Sequence, residues 1–262
     1  MTTAAGGEAA DSGVDWVHIP GGILHRGTPL ASLSAVAAAY ADTGVPPQWF
    51  RKEAPRTEVR VPAFRVARTP VTSAQWELFA QATGRASSGA SDDHPVIGVT
   101  WADADAFCDW MSARVGFDVR LPTEDEWERA ARGDDDREFP WGHHYRTGLA
   151  NLNDLGIGGT TPVGSFPDGA SPFGVLDMAG NADEWTSTLY APYPGAPADV
   201  PALETWAFDP HITRGGAFRH DRDLARCARR HGAYEADLAA IGVGFRLAAD
   251  AEAAPHESVT ER

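Results

Sequence analysis

Apolar residues return at helical spacing in two stretches, with Trp76, Phe79 and Ala80 on one face and Ala104, Phe107, Cys108, Met111 and Val115 on the next. Both stretches, and a third at residues 123–133, open on a threonine followed three residues later by a residue that reaches back: Thr72 and Gln75, Thr100 and Asp103, Thr123 and Glu126. Such a threonine accepts a bond from an unpaired amide of the first turn. Each run closes on a glycine, at Gly84, Gly116 and Gly133, the residue best suited to leave a helix. Three helices are therefore predicted. A shorter one is predicted at Ala31–Tyr40, inside an insertion around residues 29–52 whose role the pattern does not give. The period changes to two at Val59, Val61 and Ala63 and again at Val243, Phe245 and Leu247, which predicts strands. Ile212–Phe218 reads as a strand interrupted by Gly215 and Gly216. Helices early and strands at both ends make an α+β domain.

Composition narrows the picture. Residues 1–13 and 250–262 are rich in Ala, Gly, Ser and charge, too poor in apolar side chains to offset the entropy of ordering them. They are predicted to be disordered tails around one domain at 14–249. A net charge of −15, with Lys52 the single lysine, repels phosphate backbones and anionic lipid, so neither nucleic acid nor a membrane is an expected partner. No leader-like segment opens the sequence, and no stretch approaches the roughly 18 apolar residues of a membrane span. A cytoplasmic location is expected. Cys108 and Cys227 then read as two separate reduced thiols, Cys108 on a helix face. The patterns HExxH, CxxC, GxSxG, GxxxxGK[ST] and GxGxxG do not occur, which removes support for zinc proteases, thiol redox proteins, serine hydrolases and nucleotide-binding folds.

More specific is an ordered series of motifs. Arg120–Gly133 (RLPTEDEWERAARG) is followed by Pro140-Trp141-Gly142, Thr161-Pro162-Val163-Gly164, Gly180-Asn181, Glu184-Trp185-Thr186, Arg214-Gly215-Gly216, Arg226-Cys227-Ala228 and Gly244-Phe245-Arg246. The series resembles the formylglycine-generating enzymes, the sulfatase-modifying-factor family, from about Val14 to Ala248. The resemblance implies a C-type-lectin-like α+β fold with much irregular structure and with Trp127, Trp141 and Trp185 turned inward. It also implies structural calcium, a hard ion that takes oxygen ligands. One site would use the side chains of Asn151 and Asp154 with the carbonyls of Leu152 and Gly156; a second would use the side chains of Asp177 and Glu184 with the carbonyls of Gly180 and Ala182.

The departures from the family pattern carry the functional information. The resembled enzymes oxidise a peptide cysteine with copper held by two cysteines just after a Gly-Gly-Ser-aromatic turn. Here the turn is Gly215-Gly216-Ala217-Phe218, with Ala217 at the serine and His220 at the first cysteine. Cys227 matches a structural position instead. Asp183 stands where the family has a cleft tryptophan. Peptide thiol oxidation is therefore not expected, and His220 with Asp183 becomes the candidate catalytic and transition-metal pair. Imidazole and carboxylate suit iron, copper(II) or zinc better than copper(I). The leading expectation is a metal-dependent oxidoreductase, using iron or copper, that acts on a small metabolite or peptide. The alternative is a non-catalytic, calcium-stabilised module that binds a ligand or a protein. Related branches that carry iron on histidines of an added N-terminal helical domain have no counterpart before Trp16. His143 and His144 read as solvated loop residues and His94 as a loop hydrogen-bonder, while His18, His25, His211, His231 and His256 fit no pattern.

Overall fold

A computed structural model describes residues 13–200, 210–232 and 238–252. Most of the two predicted tails lies outside the described residues, although Asp250 itself, the first residue assigned to the second tail, pairs with Phe64 in a strand. The three capped helices form where the threonines place them. Numbered after the short helix α1 (Leu33–Ala39), they are α2 (Ser73–Thr83), α3 (Trp101–Val115) and α4 (Glu124–Arg132), each with its threonine accepting the amide three residues on.

Strands β1 (Trp16–Ile19) and β4 (Phe64–Ala67) pair antiparallel, and β9 (Ala248–Asp250) adds on the far side of β4. Strands β2 (Gly22–Arg26) and β3 (Thr57–Val61) form a separate ribbon. The sheet that matters for function has the order β7 (His231–Gly232), β6 (His211–Arg214), β5 (Asp183–Leu189), β8 (Val243–Phe245). Within it β5 and β8 run parallel and the other pairs antiparallel. The fold is α+β, as the sequence predicts.

Apolar packing falls into three clusters. Trp76, Phe79 and Phe107 of α2 and α3 surround Phe245; Trp127 of α4 packs with Val66 and Met178; Tyr40 and Phe50 of the insertion pack with Phe139, Leu152 and Ala225. The third cluster shows what the insertion does: it docks onto the loops that follow α4 and β6. Trp127 and Trp185 are buried as expected, but Trp141 is only half-buried. Its ring stacks on Phe139 and its indole N–H finds the His144 carbonyl within the same loop, so one face stays outside.

Buried charge is unusually dense beside α4. Arg214 donates to Glu124 and Glu128, both at 3.1 Å, and Arg230 makes a two-pronged pair with Glu124 at 2.9 and 3.0 Å. Arg226 bonds Glu53 at 2.7 Å. Charge-assisted pairs of this kind satisfy buried carboxylates that would otherwise be strongly destabilising. They also clamp residues 214–230, the segment that carries His220, against the helix.

Candidate functional site

The site is built on β5, β6 and β7. Antiparallel pairing places Thr213 of β6 opposite both Trp185 of β5 and His231 of β7. Asp183, at the start of β5 and fully buried, receives the Thr213 hydroxyl at 2.8 Å and faces His231 Nδ1 at 2.7 Å, both on Oδ2. Its Oδ1 accepts the Gly216 amide at 3.2 Å. Gly216 adopts φ +71°, and a Cβ there would meet Leu224 Cβ at 2.8 Å, so the turn that delivers this amide needs a glycine.

The same turn places His220. Its Nδ1 accepts the Ala217 amide at 2.8 Å, and its ring meets that of His231 edge to face with centroids 5.1 Å apart. One ligand atom from each of Asp183, His220 and His231 lies within 4.8 Å of the other two. The structure thus brings together the two candidate residues and adds His231, for which the sequence offers no motif. The register of β6 and β7 would have revealed it, and that register is not visible in a two-residue strand.

These bonds fix tautomers. An amide can only donate, so neutral His220 has its lone pair on Nδ1 and its proton on Nε2. His231 donates from Nδ1 to the Asp183 carboxylate, which fixes the orientation of its ring. Burial, followed by the neighbouring His231, pushes the pKa of His220 down to about 4. His220 is therefore a neutral imidazole at ordinary pH.

Both histidines open onto a cleft of about 390 Å³ lined by Val45, Pro46 and Trp49 of the insertion and by Arg219, Asp221 and Leu224. No thiol reaches it. Cys108 and Cys227 are free and buried in different clusters. Burial raises both thiols, Cys227 to about 12, so neither offers a ready thiolate.

The residues assigned to calcium divide. Glu184 belongs to an ion pair: Arg246 Nη2 and Nε donate to its two oxygens at 2.5 and 2.6 Å, and the Trp127 indole N–H adds a third bond at 2.7 Å. Arg246 also donates to the Asp177 carbonyl, while the Asp177 carboxylate accepts the Gly164 amide at 2.6 Å. The Gly180 carbonyl accepts the Ala182 amide. The set Asp177, Gly180, Ala182 and Glu184 does not fit a cation as it stands, because a guanidinium already supplies the positive charge. Asn151, Leu152, Asp154 and Gly156 fit better at one atom, since Asn151 Oδ1 is buried with no donor. Asp154 is exposed and bonds Tyr145 and Thr147. Among the remaining histidines, His143 and His144 are exposed, and His94 bonds the Thr160 hydroxyl.

Fold and cluster together define a lectin-like α+β scaffold with two imidazoles and a carboxylate gathered at one cleft. The chain belongs to the family described as the sulfatase-modifying factor enzyme 1-like domain, matched over residues 3–251. It is similar to the formylglycine-generating enzyme of Mycobacterium tuberculosis, 31% identical with 78% of this chain and 93% of that protein covered. It is also similar to the hercynine oxygenase of Mycolicibacterium thermoresistibile, 31% identical over 71% of this chain and 50% of that protein. The chain thus spans about half the length of some curated relatives it matches. Among solved structures, PvdO from Pseudomonas aeruginosa superposes with a TM-score of 0.69 at 25% identity, covering 90% of this chain and 94% of that one.

Proposed function

We propose that Asp183, His220 and His231 hold a divalent transition metal, iron before copper, and that the protein is a metal-dependent oxidoreductase acting on a small metabolite or peptide in the cytoplasm. The convergence of the three ligand atoms within 4.8 Å at the floor of a cleft carries this reading. Two histidines and one carboxylate with open positions are the donor set of non-haem iron(II) sites, and they disfavour copper(I), which seeks thiolates. Such an ion, when bound, supplies redox chemistry with dioxygen. The protein's own residues do the rest. Thr213, Gly216 and His231 hold the carboxylate, and the rings of His220 and His231 line the cleft beside it.

The test is metal analysis of protein purified without chelator or nickel, followed by anaerobic iron(II) and copper(II) titration and oxygen-consumption assays. About one equivalent bound by the wild type and lost in His231→Ala is the expected result. Calcium retention with no transition-metal uptake would overturn it in favour of a binding module. Calcium remains part of the proposal only at the Asn151 loop, supported by the unpartnered Asn151 Oδ1.

A further inference from the structure

We propose that the cleft takes a small organic carboxylate, held by Arg229 beside the two imidazoles. The inference rests on the metal-centre reading for the strength of binding but not for the residue that binds.

Arg229 reaches the cleft because of where it stands in the chain. As the chain enters β7, successive side chains alternate in direction. Arg230 turns inward to its two-pronged pair with Glu124, so Arg229 and His231 on either side of it come out together, and both line the cleft. The Arg229 side chain is nonetheless only 4% exposed. Its nitrogens are used unequally. Nη1 donates to the Trp49 and Arg230 carbonyls at 3.1 and 3.2 Å, and Nε reaches Asp223 at a long 3.3 Å. Nη2 has no acceptor among the described residues, and it is not one of the buried polar atoms sealed from solvent without a partner. Its N–H groups therefore open onto the cleft. A guanidinium fixed by three bonds, with one amino group open, is a ready receptor for an oxyanion.

Charge and surroundings set the class of ligand. Among the described residues the charges that line the cleft are Arg219 and Arg229 against Asp221 and Asp223, so they cancel. A divalent ion held by the Asp183 carboxylate and two imidazoles adds one net positive charge. One negative charge on the ligand restores the balance, whereas a cationic ligand adds to the excess. Val45, Pro46 and Leu224 make part of the wall apolar, which favours a hydrocarbon body on the acid. The volume of about 390 Å³ lies toward the lower end of small-ligand sites, about 300–1,000 Å³. Asp223 already shares the guanidinium and so competes with any incoming carboxylate.

The experiment is calorimetric titration of the full chain with 3-methylbutanoate, both metal-free and after incubation with redox-inert zinc, with metal content measured on the same samples. The controls are 3-methylbutanamide, which has the same shape without the charge, and 3-methylbutan-1-amine, which reverses it. The acid should bind at least about tenfold more tightly than either, and Arg229→Gln should lose that margin, the scale of one charge-assisted bond. Asp223→Asn should bind the acid about tenfold more tightly than the wild type, because a neutral amide no longer competes for the guanidinium. Circular dichroism shows whether Arg229→Gln is folded, and the gain in Asp223→Asn is an effect that no folding defect imitates. A control that binds as well as the acid, unchanged binding in a folded Arg229→Gln, or no gain in Asp223→Asn overturns the proposal. Metal uptake without Arg229-dependent binding sinks the carboxylate site alone. Arg229-dependent binding by a chain that takes up no metal upholds it and sinks the metal centre.

Discussion

Asp183 and Glu184 sit side by side in β5 and are both fully buried, but successive side chains of a strand face opposite ways. Glu184 turns inward to Arg246 and Trp127, whose three N–H bonds saturate it. Asp183 turns toward β7, where its bonds to Thr213, Gly216 and His231 lead to two imidazoles that line the cleft. One network is closed within the protein and the other opens onto a cleft. Closure uses rigid guanidinium forks and supports the fold; a network that reaches a cleft lines a surface that something other than protein can meet. The comparison also separates the family's two implied metal types, because the closed network lies where the second calcium was expected and the open one where the cysteine copper would have been.

The strongest way to break the closed side is Arg246→Met, which takes away both ion-pair bonds of the buried Glu184. Leaving a buried carboxylate without its partner should cost about 3–5 kcal/mol in chemical denaturation. Changes on the open side should cost far less stability. If Arg246→Met were nearly neutral, the closed network would be incidental to folding.

Lys52 provides a second test, since it is buried yet held only by aromatic faces. Burial first, then Arg229 and Arg230, lower its pKa from the ordinary 10.5 to about 7. Between pH 7 and 10.5 the unfolded chain keeps a proton that the folded chain has released, so this residue makes stability rise with pH across that window. Below pH 7 the folded state carries the full cost of the buried charge. Lys52→Met should therefore stabilise the protein below pH 7 by something on the order of 3 kcal/mol, and the gain should vanish toward pH 10.5. A pH-independent difference between the two proteins would contradict that sign.

On the open side, His231→Ala should weaken transition-metal binding by at least about 100-fold while the far-ultraviolet spectrum stays native. Binding that survives in this variant but disappears in His220→Ala would move the site away from β7. A companion outcome is the absence of formylglycine formation on a Cys-x-Pro-x-Arg peptide, checked by mass spectrometry, because both thiols lie in the apolar interior. The smallest effect expected is from calcium. Saturation of the Asn151 loop should raise the melting temperature by only a few degrees, about the shift for 1 kcal/mol in a chain of this size, and Asn151→Ala should abolish the response to chelator.

The three threonine-capped helices and their glycine ends could be read directly from the sequence, because capping and helical period are local properties. His220 and Asp183 could be found as departures within a known series of motifs. His231 could not, since Arg229-Arg230-His231-Gly232 has no signature and gains its place only through pairing with Thr213. The Arg246 partner of Glu184 escapes the sequence for a related reason, since the two residues are far apart along the chain and meet only in three dimensions. The insertion was legible as a short helix, but not as the wall of a cleft, because that depends on the long-range contacts of Tyr40 and Phe50.

The single lysine has a practical corollary. With its ammonium packed on Trp49 and hidden from solvent, the folded surface presents no lysine amine to acylating reagents, aldehydes or amine-directed cross-linkers. Acylation of Lys52 must wait for the 3-10 helix to lift away from the body of the protein. The rate of that reaction, followed on the one tryptic peptide that contains residue 52, is then a clock for opening of the cleft wall.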